Sequence, residues 1–272
     1  MIAPNPVDTA RAYVMQCATF ADTTRKLGKL EVSFKEGDVN NVLTHVDLAN
    51  SARARQMFAP FLQAGEILID EENLPPGTPA EIFASGKPLW IIDPIDGTRP
   101  FSKGEASWGV MLSRIVGGRV VYANINMPAM GQRLQLYPEG GSVTCPDDRK
   151  AFVRTLQTGT GSTVHLSNRV ENMLQLCTAH GFHNVYAPSA AEVTISMATG
   201  QCALAAFPSK AGIWDIAPAM MLAAMNGYVA FFESDPHTFL TITPDMFLPN
   251  WQLRDHLIIT SKQTHAVLYP TS

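Results

Sequence analysis

The sequence predicts an α/β protein, mixed α+β in its first part and alternating strand with helix in its second. Three observations carry this. Apolar, β-branched runs at residues 66–70 and 90–93 each end abruptly in acids, as buried strands that deliver side chains to loops do. Three β-rich runs, 108–116, 119–126 and 132–137, follow one another across turn signals such as Gly117-Gly118, which reads as an antiparallel meander. Beyond residue 150 strand-like and helix-like stretches alternate, the rhythm of helices packed on a sheet. Residues 140–150 (G-G-S-V-T-C-P-D-D-R-K) mark the change of rhythm and divide the chain into halves, 1–150 and 151–272.

Taken in order, Val7, Ala10, Val14, Cys17 and Ala21 recur at helical spacing and predict an opening amphipathic helix that covers a sheet. Residues 29–41 dissolve into charged and small residues, an exposed hairpin or loop. A second helix carries Ala54, Phe58, Phe61 and Leu62, and from position alone Asp47 reads as its N-cap. The strand E-I-L-I-D ends in Asp70, Glu71 and Glu72, and a P-P-G-T-P connector leads to W-I-I-D-P-I-D-G-T-R-P-F at 90–101. In the second half Val164 to Leu166 predicts a strand, with Ser167 capping a helix through Val170, Leu174 and Cys177 that stops at Gly181. Ser189-Ala190-Ala191-Glu192 reads as a capping box, and residues 202–207 return as a strand. Trp214-Asp215 opens a helix closed by Gly227, with Pro218 in its first turn; residues 256–262 read as a last strand without a convincing final helix.

Composition narrows the function. A chain of 272 residues, 46% hydrophobic and 16% charged with a formal net charge of −4, has the makings of a large packed core and no overall field for nucleic acid or an anionic membrane. Cys17, Cys145, Cys177 and Cys202 lack C-x-x-C spacing and read as buried thiols of a reducing compartment. The opening M-I-A-P-N-P-V-D has no basic segment followed by an apolar core, and the most apolar window, 216–232, is broken by Pro218, Asn226 and Gly227. A cytoplasmic location is the expectation.

The chemistry lies in the acids. Pro94 removes a ladder donor and Gly97 opens backbone geometry closed to other residues, so Asp93 and Asp96 can converge on one point. Paired carboxylates with a carbonyl between them suit Mg²⁺ far better than Zn²⁺, although a bare D-P-x-D equally fits an Asx turn closing a strand. The company it keeps points to metal. I-D-E-E-N at 69–73, W-I-I-D-P-I-D-G-T-R-P-F at 90–101 and I-W-D-I-A-P-A at 213–219, with Gly227 twelve residues past Asp215, resemble the inositol monophosphatase family. Order and spacing agree from about Thr44 to Gly227.

The resemblance implies a layered αβαβα sandwich of the inositol monophosphatase and fructose-1,6-bisphosphatase type, usually a homodimer, with metals where the halves meet. It implies that Glu71, Asp93 and the Ile95 carbonyl hold a first Mg²⁺ and that Asp93, Asp96 and Asp215 hold a second, with a third ion in some members and Mn²⁺ as a substitute. Asp47 and Thr98 match the water-activating pair, and Gly97 and Thr98 the phosphate-binding turn. The implied activity is hydrolysis of a small phosphomonoester by metal-activated water, without a phosphoenzyme and typically lithium-sensitive. Crowded carboxylates need cations between them, so metal binding is expected to weaken as they protonate.

Departures cluster where substrate would be chosen. Asp70 stands where the family often has glycine, Pro188 likewise, and Pro208 occupies the distance before Asp215 at which polyol-binding members carry a glutamate. Ser189 and Ala190 keep the family's small-residue pattern and are substrate-binding candidates; Lys210 reads either as a contact for an anionic group or as a solvated lysine. Histidinol phosphate, adenosine 3′,5′-bisphosphate and fructose 1,6-bisphosphate stand as alternatives to an inositol phosphate. A non-catalytic metal- or metabolite-binding descendant is the reading of another class.

Overall fold

The computed structural model describes residues 4–34, 42–145, 150–152, 163–165 and 170–270. Its elements form five layers. One outer layer is α1 (Pro6–Lys26) and α2 (His45–Gln63), which bury Tyr13, Val14, Cys17, Phe58 and Phe61 against one face of a seven-stranded sheet. That sheet runs β3 (Ile67–Asp70), β4 (Leu89–Asp96), β5 (Gly109–Val116), β6 (Arg119–Met127), β7 (Gln132–Tyr137), β8 (Gly140–Thr144) and β9 (Lys150–Phe152) in spatial order. The meander predicted over 108–137 is its centre. Only the β3–β4 pair is parallel.

The middle layer is α6 (Ala190–Ala198) and α7 (Ile213–Asn226), whose apolar faces fill the space between the first sheet and a second. The second sheet has the order β11 (His183–Asn184), β10 (Thr163–His165), β12 (Leu204–Phe207), β14 (Leu257–Thr260) and β13 (Val229–Phe232). Beyond it lie α5 (Glu171–Ala179) and α8 (Lys262–Leu268), burying Met173, Cys177 and Leu268 against Leu204, Phe231 and Ile258. Alternation sorts the strand side chains between layers: Ile91 faces α6 and α7, whereas Trp90 and Ile92 face α1 and α2. The αβαβα architecture is therefore as expected.

Several local expectations change. Thr44, not Asp47, caps α2; Asp47 is the third helical residue, and its carboxylate accepts from the Thr44 backbone N–H at 2.9 Å in a reciprocal capping box. The Pro-rich connector holds a short helix, α3 (Pro79–Ala84), opened by Thr78 with Glu81 as its partner. Pro218 sits one turn inside α7, because that helix begins at Ile213. The last strand is followed by a final helix, α8, after the cap Ser261; its seven residues were too few to declare a period. Residues 32–34 and 42–44 form the antiparallel pair β1 (Val32–Phe34) and β2 (Val42–Thr44); residues 35–41, Leu166, Ser167 and 146–149 lie outside the described residues.

Cys17, Cys177 and Cys202 are buried and unbridged, and burial pushes their thiols up, that of Cys17 to about 11. No helix among the described residues is long and apolar enough to cross a membrane. The tightest aromatic packing is at Phe58, fully buried between Tyr13, Phe61 and Trp90 with ring centroids 4.6–6.2 Å apart. Phe58→Ala is expected to cost about 3–5 kcal/mol of stability through the cavity it leaves, measured by denaturant unfolding.

Candidate active site

The site begins at an irregularity in β4. Asp93 pairs with Met111 and Asp96 with Gly109, so the register slips by one residue across Pro94, which has no N–H to give the ladder. In a regular strand residues three apart face opposite sides. The bulge restores parity and turns both carboxylates toward the α6 and α7 layer. Asn50, one turn beyond Asp47 on buried α2, holds the bulge from behind by donating Nδ2–H to the Pro94 carbonyl at 3.1 Å.

Three carboxylates converge. Oxygens of Asp93, Asp96 and Asp215 lie within 4.8 Å of one another, with Asp93 and Asp96 buried and Asp215 half-buried. Each is anchored differently. Asp96 takes the Ala190 and Ala191 backbone N–H groups, at 3.1 and 2.7 Å, so it closes the N-terminus of α6. Asp215 takes the Gly212 N–H at 2.6 Å at the start of α7. Asp93 Oδ1 is buried with no hydrogen-bond partner among the described residues.

Electrostatics follow from this crowding. Burial first, then the charges of Glu71, Asp96, Asp215 and Asp47, hold the Asp93 carboxyl well above the usual carboxylate range. Burial also pushes Asp96 up, to about 6, while the hydrogen bonds from Ala191, Ala190 and Ser189 pull the other way. The contribution of Asp96 to stability is therefore full below the ordinary value of 3.8 and is lost as pH rises through about 6, because the unfolded chain ionises first. Ionising this cluster at neutral pH needs a compensating positive charge, and an all-oxygen set with an unmatched buried carboxylate oxygen fits a hard divalent cation.

Thr98 stands beside the cluster. Its hydroxyl lies 3.2 Å from Asp47 Oδ1 and 2.9 Å from the Ile95 carbonyl oxygen. Gly97 turns the chain there at φ 76°, and a Cβ on it would come within 2.7 Å of the Ser107 carbonyl oxygen. Glu71, just past the end of β3, acts electrostatically on both Asp93 and Asp96 but stands outside the 4.8 Å group. Its neighbour Asp70 is fully buried on the opposite side, hydrogen-bonded by the Ser51 hydroxyl and the Glu72 N–H. Burial raises the Asp70 carboxyl, and it belongs to the α2 packing rather than to the cluster.

Of the substrate-binding candidates, Ser189 caps α6 and its hydroxyl accepts from the Glu192 N–H at 3.2 Å. The Ala190 N–H is spent on Asp96, so it helps to place that carboxylate and is not open to substrate. Lys210 is exposed in the turn between β12 and α7, without an ion-pair partner among the described residues. The expected capping box at Ser189 is half made: the Glu192 carboxylate reaches the Ser107 hydroxyl instead of returning to its own helix start. Sequence reasoning missed Asn50, Ser51, Ser107 and Glu192. The first two were signalled by D-L-A-N-S, which places Asp47, Asn50 and Ser51 on one helix face.

Comparison with known proteins gives the family and the fold. The model of the inositol monophosphatase family matches residues 10–266. The chain belongs to that family. Among curated relatives it is 40% identical over 75 residues to a histidinol-phosphatase of Chlorobaculum parvum, covering 28% of each chain. It is 41% identical over 115 residues to a fructose-1,6-bisphosphatase/inositol-1-monophosphatase of Thermotoga maritima, covering 42% of this chain and 41% of that one. These alignments span less than half the length of either relative. A solved IMPase/NADP phosphatase, complexed with Mg²⁺ and phosphate, shares the fold at a TM-score of 0.73 and 15% identity, over 97% of this chain and 94% of the other.

The Gly97 turn is testable by a matched pair. Gly97→Ala places a methyl in a left-handed conformation against a backbone carbonyl, whereas Gly117→Ala, at φ 57°, meets open space. Thermal unfolding is expected to show both destabilised by about 1–2 kcal/mol for the backbone, with a clearly larger drop in Tm for Gly97→Ala.

Proposed function

We propose that this protein is a Mg²⁺-dependent phosphatase of small phosphomonoesters, as its family membership and its site together support. The observation that carries the reading is the convergence of Asp93, Asp96 and Asp215 beside the Thr98–Asp47 hydrogen bond. Glu71, Asp93 and the Ile95 carbonyl would hold one ion and Asp93, Asp96 and Asp215 a second; a third ion, and Mn²⁺ in place of Mg²⁺, are further expectations. When bound, the cations lower the pKa of a coordinated water and neutralise charge on the phosphoryl oxygens.

The chain's own groups supply the rest. With its proton directed to Asp47, the Thr98 hydroxyl keeps lone pairs free to accept a hydrogen bond from the attacking water and orient it. Asp47 is fully buried, and its second oxygen is occupied by Thr44, so it is fixed as acceptor and general base. Backbone N–H groups of the Gly97–Thr98 turn would receive the phosphate, which arrives where β4 ends. With the Thr98 proton turned to Asp47, the Ile95 carbonyl oxygen, 2.9 Å from that hydroxyl, keeps its lone pairs for a cation.

The two halves, 1–150 and 151–272, would contribute four ligands and one respectively, so the site closes only when they are packed together. Cytoplasmic location, lithium sensitivity and a homodimer complete the reading on family grounds. Histidinol phosphate is the second substrate reading, favoured by the 40% identity over 75 residues with a histidinol-phosphatase. The presence of Asp47, Glu71, Asp93, Asp96, Thr98 and Asp215 together tells against a non-catalytic descendant.

The test is Mg²⁺-dependent phosphate release across inositol-1-phosphate, histidinol phosphate, fructose 1,6-bisphosphate, adenosine 3′,5′-bisphosphate and p-nitrophenyl phosphate. Asp93→Asn is expected to lower kcat by about three orders of magnitude with its circular dichroism unchanged, the scale of losing an electrostatic element of a catalytic site. Absence of turnover with Mg²⁺ or Mn²⁺ on every substrate, with no metal at Asp93 in soaked crystals, would sink the reading.

A further inference from the structure

Glu192 is the third residue of α6, the position from which a glutamate ordinarily reaches back to its own N-cap. It does not. Its Oε2 accepts a hydrogen bond from the hydroxyl of Ser107, in the loop between α4 (Thr98–Ser102) and β5. Oε1 has no partner among the described residues, and the side chain is half-buried. A carboxylate diverted from capping, held by one oxygen and open at the other, is set to receive a donor from outside the chain.

Its place is fixed on both sides. The Ser107 hydroxyl lies 3.3 Å from the Ser189 hydroxyl, and the Ser107 carbonyl presses on Gly97 so closely that no Cβ fits. The Ser107 loop is itself held down: Arg25 donates to the Glu105 carbonyl and lies over the buried Trp108 ring, 5.4 Å from its centroid. One residue before Glu192, the Ala191 N–H is bound to Asp96. Glu192 thus stands next to the phosphate-binding turn, with its position determined by the same helix start that anchors a metal-ligand candidate.

We propose that Glu192 is a specificity-determining residue that selects phosphomonoesters whose leaving group carries a hydrogen-bond donor, an ammonium or a hydroxyl, and disfavours leaving groups with a second anion. The inference rests on the phosphatase reading and names its substrate class. A fixed carboxylate beside the scissile phosphate forms a charge-assisted bond with a donor and repels a carboxylate or second phosphate.

The experiment compares wild type with Glu192→Gln, which keeps the shape and can still bond to Ser107 but removes the charge. Substrates are histidinol phosphate, inositol-1-phosphate, fructose 1,6-bisphosphate and p-nitrophenyl phosphate, whose leaving group has no donor. Relative to p-nitrophenyl phosphate, kcat/KM is expected to fall about tenfold for histidinol phosphate, mainly in KM, and by less for inositol-1-phosphate. For fructose 1,6-bisphosphate it is expected to rise. Ser107→Ala, which frees the carboxylate, is expected to shift the same ratios more weakly. Changes by one common factor across all four substrates would show a merely structural role and overturn the proposal, as would unchanged ratios. If wild type hydrolyses none of them, the phosphatase reading itself fails.

Discussion

The rest of this structure depends on a concentration of negative charge in a place with little water. Oxygens of three carboxylates lie within 4.8 Å, two of the side chains are buried, and Asp47 and Glu71 add to the field. Burial first, and neighbouring charges after it, raise the carboxyls of Asp93 and Asp96, the cost of holding such groups where water is scarce. The fold offsets it before any cation arrives. Asp96 lies at the N-terminus of α6, Asp215 in the first turn of α7 and Asp47 in the first turn of α2, where unpaired N–H groups and the helix dipole favour negative charge. Asp93, at the centre, has no such helix start. Its buried, unmatched oxygen is the point at which the chain's own compensation stops.

The bulge at Pro94 is what lets one strand serve this cluster twice. Without it Asp93 and Asp96 would point into different layers, one toward α6 and α7 and the other into the packing of α1 and α2. Proline removes the ladder N–H at no further cost, Asn50 takes the exposed carbonyl, and Gly97 lets the chain turn into α4 against the Ser107 backbone. All eight residues of β4 are buried, so this irregularity is enforced from both faces. On the first sheet Arg114 bonds Glu66 at 2.6 Å while its guanidinium stacks over Trp90, tying β5 to the entry of β3 across β4. The strand that bears the acids has little freedom to relax away from them.

This division explains what could be read in the amino-acid sequence. The acids of the cluster were legible because they sit at element ends in an order and spacing shared with a family, and the meander because β-rich runs follow one another across turn signals, the first of them the Gly117-Gly118 pair. Burial by two layers made β4 a continuous apolar run, which periodicity reads as a strand without saying what lies on each face. What remained hidden was contact between distant segments. Glu192 looked like half of a local capping box, and only the Ser107 loop, 85 residues earlier, diverts it. Asp47 looked like a cap because a short acid suits the N-cap and the third helical position alike, and Thr44, three residues upstream, takes the cap. α8 escaped notice because seven residues after a strand offer barely two turns of pattern, and its stability comes from Leu268 and His265 packed on Phe231.

Chemistry and selection meet at the first turn of α6. Its backbone N–H groups at Ala190 and Ala191 are consumed by Asp96, which fixes the helix relative to the carboxylate cluster, and the side chain that follows them bonds the Ser107 loop that packs on Gly97. Asp96 anchors the backbone at the start of the helix, and the Ser107 hydroxyl holds the Glu192 carboxylate. The hydrogen bonds that hold Asp96 therefore also set the helix start from which Glu192 reaches the Ser107 loop.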